Sequence, residues 1–330
     1  LPRTLRSMMK LTNSVFLPLP PCQSEKMLLS SLRSVGYTEE TAIADIVDNS
    51  ISSGANTIQL YFDWDDQTIL IADNGKGMQK KELLDSMKIG SSDPGITRSA
   101  SDLGRFGMGM KTASFSLGKQ LLVITKQKDE INNAEWNLEY VENEDKWEIL
   151  IHSDEKIDTY IKSKTDKIEF QNWDEGTLIS LSMLDKLIDE NNMQKSKVKF
   201  YKTVEKVKKH LAMIFHRFIE EDNLQIYVNK NLLEAWNPFI RQNPATMELA
   251  CEELFDGKTI VSIEPYILPH KTKFEDEEAF KKAGGAKDWL THQGFYVYRN
   301  RRLIVYGTWF GKFKKEPAYN LARIKLDMSS

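Results

Sequence analysis

The chain has 330 residues, 45 basic against 48 acidic side chains, and 41% hydrophobic residues. That length and apolar content suffice for two cored domains, while a net charge of −3 makes no case by itself for nucleic acid. Nothing repeats internally, no segment is low in complexity, and no apolar run reaches the ~20 residues that span a bilayer. Cys22 and Cys251 are far apart, which fits a reducing compartment without a disulfide framework. His152, His210, His216, His270 and His292 show no metal-ligand spacing and read as structural or surface residues.

In chain order, residues 1–22 carry Pro18, Pro20 and Pro21 and read as an extended arm, with a disordered tail as the alternative. The basic start lacks a following apolar core, so no signal peptide is evident. A helix is predicted over 24–35, ended by Gly36, and a second over 40–52 with Ile43, Val47 and Ile51 as its apolar stripe. Strands at 57–62 and 68–72 flank a polar turn, and 80–89 reads as a short helix. Strands are predicted at 121–126, 135–141, 147–152 and 177–183, with 129–133 and 143–146 as charged linkers. The expectation is one mixed, mostly antiparallel sheet backed by helices on one face. A boundary falls near 192, where apolar residues thin out. An amphipathic helix follows over 197–220, buried through Val204, Val207, Leu211, Ile214, Phe215 and Phe218. Beyond it come a hairpin at 224–236, a strand at 261–268, a helical stretch at 274–282, strands at 294–300 and 302–305, and a last strand at 321–326.

Four polar islands stand out between 45 and 177. On the second helix, Asp45 and Asn49 are four apart and share a face, where an amide oxygen suits a hard cation and a carboxylate can take a proton from water. A solvated polar face is the plain alternative. Asp73 ends a strand beside Gly75, Gly77 and Met78, so the backbone can turn tightly against a ligand and the carboxylate can accept from an exocyclic amine. An ordinary Asn-Gly turn would look the same. Gly104, Arg105, Phe106, Gly107, Met108, Gly109, Met110 and Lys111 open a helix and form a phosphate cradle of free backbone N–H groups, helix dipole and lysine. The spacing is neither that of the Walker loop nor the dinucleotide fingerprint. The preceding 90–103 is polar and suits a lid. Gly176-Thr177 is the fourth island.

In this order, the islands resemble the motifs of the gyrase B, heat-shock chaperone, histidine kinase and MutL (GHKL) ATPases, and 104–126 is most similar to the MORC-type branch. The resemblance runs over about 23–184. It implies an α+β chain: a Bergerat-type α/β sandwich ATPase domain at 23–192, then a β-rich, transducer-like (S5-type) α/β domain at 193–330, incomplete at its C-terminus. It implies ATP and Mg²⁺ as ligands. Asn49 would hold Mg²⁺ and the phosphates, and Asp45 would stand where the family's general base, usually Glu, polarises water. Asp73 would bind the adenine amino group, in part through a water shared with Thr177. Gly75, Gly77 and Met78 would line the adenine pocket, and 104–111 would wrap the phosphates. Two positions depart from the pattern. Asp45 is one methylene shorter than Glu, which implies slow hydrolysis, and Ser52 stands where many relatives carry Asp. The second domain's sensor lysine is expected beyond Ser330, with Lys312, Lys314 and Lys315 as candidates only if the alignment shifts.

The resemblance implies a nucleotide-gated switch that dimerises with ATP, cytoplasmic, or nucleoid or nuclear if it works on DNA. Duplex DNA as partner is supported by Arg299, Arg301, Arg302, Lys312, Lys314 and Lys315 interleaved with Tyr296, Tyr298, Tyr306, Trp309, Phe310 and Phe313. A sheet with an aromatic core and basic edges is the alternative for that run. A chaperone-like ATPase would instead show exposed apolar patches. A histidine kinase would need a phosphoacceptor ahead of the site, and no His precedes Asn49.

Overall fold

A computed structural model describes residues 14–18, 29, 32–34, 36–89, 109–255 and 260–328. Contacts divide the chain into Leu1–Val207 with Gln225–Leu233, and Lys208–Leu224 with Glu234–Ser330.

The first unit is built on one nine-stranded sheet. Its strands are β1 (Ser14–Pro18), β2 (Thr57–Asp63), β3 (Thr68–Asp73), β4 (Gln120–Gln127), β5 (Glu130–Asn137), β6 (Glu148–His152), β7 (Gly176–Ser182), β8 (Gln225–Val228) and β9 (Asn231–Leu232). They lie in the order β1-β6-β5-β4-β7-β3-β2-β8-β9. All pairs are antiparallel except β2 with β8. The helices are α1 (Glu39–Ser52), α2 (Lys80–Met87), α3 (Gly109–Leu117), α4 (Leu138–Glu144) and α5 (Asp154–Lys162).

Helices cover both faces of this sheet, not the one expected. Leu70, Ala72, Leu122, Ile124 and Leu178 pack on Ile157 and Ile161 of α5 and on Ile168 and Phe170. On the other face Leu121 is opposite Trp136, whose ring meets Phe115 of α3 edge-on, and α1 packs against α3. The cause is in the strands: β3 is buried at all six positions, as a strand must be when both its faces are covered. Two local readings also change. Residues 130–133 pair with β4 and are no linker. Residues 138–141 are helix rather than strand, because Asn137 Oδ1 accepts from Tyr140 N at 3.1 Å and starts α4.

The predicted 197–220 helix is two: α6 (Met193–Ile214) and α7 (His216–Glu221), broken at Phe215. The β8–β9 hairpin, expected in the second domain, adds to the first sheet through β2. Asn229 locks it there, its backbone N donating to Leu60 O and its side-chain oxygen accepting from Phe62 N.

The second unit holds β10 (Met247–Glu248), β11 (Glu252–Phe255), β12 (Ile260–Ile267), β13 (Gly294–Arg299), β14 (Arg302–Thr308), β15 (Ala322–Met328) and α8 (Glu277–Ala283). The order is β10-β12-β15-β13-β14, with β11 also on β12. Only β13 and β15 run parallel. Tyr296, Tyr298 and Trp309 are buried here and so are core, not stacking surface, whereas Phe310 and Phe313 are exposed. Arg301 is spent on Glu221 and Asp222, Arg302 lies over the Phe215 ring, and Lys315 donates to Thr291 O.

Candidate functional site

α1 starts at a reciprocal cap: Thr38 Oγ1 accepts from Thr41 N while Thr41 Oγ1 accepts from Thr38 N. Ala42, Ile43, Ala44, Ile46 and Val47 are buried, which turns Asp45 and Asn49 to another side, half-buried and exposed. Each side chain has a partner of its own. Asn49 Nδ2 donates to the backbone oxygen of Asp45 at 3.0 Å, and Asp45 Oδ2 accepts from Tyr37 OH at 2.6 Å.

Asp73, the last residue of β3, is buried. Its Oδ2 accepts from Ser50 Oγ at 2.8 Å and its Oδ1 from Gly75 N at 2.9 Å. Burial pushes its pKa up against the pull of these donors. Ser50 follows Asn49 on α1, so this one carboxylate ties the first island to the second. Thr177 ties in the fourth, since it pairs with Asp73 across β3–β7.

The turn after Asp73 is too close-packed for any side chain at two points. A Cβ on Gly77, at φ +63°, would lie 1.8 Å from Lys126 O, and one on Gly176, at φ +148°, 2.1 Å from Asp73 O. Met78 N donates to Thr125 Oγ1 at 2.8 Å, and that hydroxyl donates to Gly176 O at 3.2 Å. Thr125 of β4 therefore joins the second and fourth islands. Nothing in the sequence marked it, as a threonine inside a strand carries no signal. Ser50 stands inside the first motif and could have been found there. Ser52, the departure from the family pattern, is exposed.

Gly104, Arg105, Phe106, Gly107 and Met108 lie outside the described residues, as does the expected lid at 90–103. Gly109 and Met110 open α3 and are half-buried. Lys111 is placed differently from a free charge facing a helix start. It is buried, and its Nζ donates to Ser86 O at 2.6 Å and Lys88 O at 2.7 Å. With Trp136 Nε1 on Met87 O, it caps three carbonyls in a row at the end of α2. Burial lowers its pKa to about 8.

A family model described as histidine kinase-, DNA gyrase B- and HSP90-like ATPase matches residues 37–174. The span contains Asp45, Asn49, Asp73 and the α3 start. Over residues 37–174 the chain is similar to a GHKL-type ATPase domain. The chain is 35% identical over 111 residues to ATPase morc-1 of Caenorhabditis elegans, covering 32% of this chain and 12% of that protein. It is 28% identical over 109 residues to MORC family CW-type zinc finger protein 3 of Mus musculus, covering 31% and 11%. It is 27% identical over 93 residues to mouse ATPase MORC2B, covering 27% and 9%. The matched part is thus about an eighth or less of each relative. In the second unit, the described fold is a separate β-rich sheet, which agrees with the α+β expectation.

The donor set suits a hard cation held mainly by a ligand. The amide nitrogen of Asn49 is engaged, which leaves its oxygen as the metal-binding end. Among the described residues no three His, Cys, Asp or Glu side chains group to hold a metal. A single protein oxygen is what Mg²⁺ takes when phosphates and water complete its shell.

Proposed function

We propose that this chain binds Mg·ATP in the ATPase domain and hydrolyses it slowly, as a nucleotide-gated switch that closes and dimerises and acts at duplex DNA. The observation that carries the nucleotide reading is the buried Asp73 carboxylate. It is desolvated, held by Ser50 and Gly75, and followed by a glycine turn packed tightly against the backbone of β4 at Lys126. Adenine supplies the amine that such an acceptor selects.

In this reading Asp73 and Thr177 fix adenine, and Gly75, Gly77 and Met78 shape its pocket. Asn49 and residues 104–111 hold the phosphates, with Lys111 acting from behind by pinning the end of α2 to α3. Asp45 takes the proton of the attacking water. Bound Mg²⁺ supplies charge neutralisation on the phosphate oxygens, with Asn49 as its protein ligand. The ATP-dependent closure is a population shift in which the nucleotide prefers one state.

DNA rests on the MORC-type resemblance and on Lys312, Lys314, Phe310 and Phe313, which stay exposed at the end of β14. A nuclear or nucleoid site follows if DNA is the partner, and a cytoplasmic one if not. Among the described residues no helix is long and apolar enough to cross a membrane. The second reading, a chaperone-like ATPase acting on proteins, is favoured by Leu254 and Phe255, which are 57% and 70% exposed on β11.

Duplex DNA binding across a salt series, with and without a non-hydrolysable ATP analogue and Mg²⁺, separates the two. Binding that tightens with the analogue, weakens with salt and loses its nucleotide dependence in Asn49→Ala supports the DNA switch. Analogue binding with negligible DNA affinity at low salt removes DNA and leaves protein partners.

A further inference from the structure

Tyr37 reaches over the first two turns of α1 to place its hydroxyl 2.6 Å from Asp45 Oδ2. The contact is not needed to start the helix. Thr38 and Thr41 already cap it reciprocally, and Ala42 N donates to Thr38 O. Nor does it fill an apolar gap, since Asp45 is only half-buried and faces away from the core residues of α1. What the phenol does is fix a short carboxylate. An aspartate turns freely about two side-chain torsions, and a hydrogen bond to one oxygen sets the plane of both.

We infer that Tyr37 is a positioning residue for hydrolysis, holding the Asp45 carboxylate in the orientation that meets the attacking water. The inference rests on the reading of Asp45 as general base. In that step the water oxygen bonds to the γ-phosphorus as the bond from phosphorus to the bridging oxygen of ADP breaks. One water proton passes to Asp45 and then to solvent, leaving ADP and phosphate. A carboxylate one methylene shorter than glutamate has less reach, so a wrong torsion cannot be absorbed by the side chain. Holding it in place from Tyr37 compensates for that loss of reach.

The test is single-turnover hydrolysis with protein in excess over Mg·ATP, which reads the chemical step even when it is slow. The proteins are wild type, Tyr37→Phe, Asp45→Asn and the double variant, with Mg·ATP Kd and Tm measured on each. Phenylalanine keeps the ring and removes only the hydroxyl. The expected result for Tyr37→Phe is a rate about 3- to 10-fold lower, the worth of one hydrogen bond in the transition state. Kd and Tm should not move, and the double variant should be no slower than Asp45→Asn. An unchanged Tyr37→Phe rate beside an inactive Asp45→Asn overturns the positioning role and leaves the general base standing. A Tyr37→Phe rate that falls only together with Tm, or by the same factor in the Asp45→Asn background, shows a structural tyrosine and also overturns it. Wild type no faster than Asp45→Asn removes the general base, and Tyr37's role with it.

Discussion

Ser50 Oγ donates to Asp73 Oδ2 at 2.8 Å, so the residue after Asn49 on α1 and the last residue of β3 share one buried hydrogen bond. Asp73→Asn keeps the shape of this junction. Its amide oxygen can accept from Gly75 N and its NH₂ can donate to Ser50 Oγ, which is able to accept. The fold should therefore lose no more than about 1–2 kcal/mol by thermal or urea melting. Nucleotide binding should fall steeply, because an adenine amine would then meet another donor. A calorimetric titration with Mg·ATP checks it, and unchanged affinity removes Asp73 from the adenine site.

Lys111 gives a pH signature. Its folded pKa is lowered to about 8 against an ordinary 10.5, because the ammonium is buried. Between those values the unfolded chain holds a proton that the folded chain has lost, so this group makes stability rise with pH from about 8 to 10.5. The neutral amine still has hydrogens for Ser86 O and Lys88 O. Lys111→Met strands both carbonyls and should cost roughly 2 kcal/mol at pH 7. The gap from wild type should widen by pH 9.5. Urea melts of both proteins at pH 7.5 and 9.5 decide, and a constant gap refutes the buried-cation account.

How far the sequence told this in advance depends on which force acts locally. Asp45, Asn49, Asp73 and Thr177 stand out in the sequence because the polar islands interrupt strong helix and strand patterns, and folding pairs Asp73 with Thr177 and bonds it to Ser50. Helix α5 was missed although Asp154 and Glu155 open it and Ile157 and Ile161 form its stripe, because its apolar partners lie on strands far away in the chain. The same blindness hid the second covered face of the sheet and the place of the β8–β9 hairpin, both settled by long-range pairing. The surroundings of Lys111 were hidden for a related reason: from sequence it is a charge at a helix start, and only tertiary packing brings the carbonyl end of α2 onto it. The aromatic run at 296–313 divides by place in the second sheet: Tyr296 and Tyr298 are buried in β13 and Trp309 is buried just past β14, while Tyr306, Phe310 and Phe313 are exposed.

Two glycines of the same motif set should respond in opposite ways. Gly77 sits at φ +63° with Lys126 O in the place of a Cβ. Gly77→Ala must move backbone, and a loss above about 2 kcal/mol is expected. Gly109 has open space around a Cβ and lies in the first turn of α3. Gly109→Ala should leave stability equal or raise it by up to about 1 kcal/mol. If its backbone N–H meets phosphate, the new methyl should still weaken Mg·ATP binding. Melting temperature and nucleotide Kd on both variants give the comparison, and equal losses of stability would contradict the close-packed turn.

In the second unit, two buried histidines make stability fall in mild acid. Burial lowers the pKa of His292 to about 4 and that of His216 below its ordinary 6.5, although Glu220 pulls His216 back up. As pH drops below 6.5 the unfolded chain takes up protons that the folded chain refuses, so stability declines toward pH 4. His292→Phe isolates the larger part. The ring stacks with Tyr306 and lies against Trp236, contacts a phenyl can keep. Tyr296 OH retains its bond to the backbone oxygen of residue 292. The substitution should be nearly neutral at pH 7. It should remove roughly 2 kcal/mol of the loss seen in wild type between pH 7 and 4.5. Native-state hydrogen exchange of β13 amides at the two pH values reads the second unit directly within the full chain. A wild-type protein whose β13 protection free energy is flat across that range would show that His292 is not held neutral by burial.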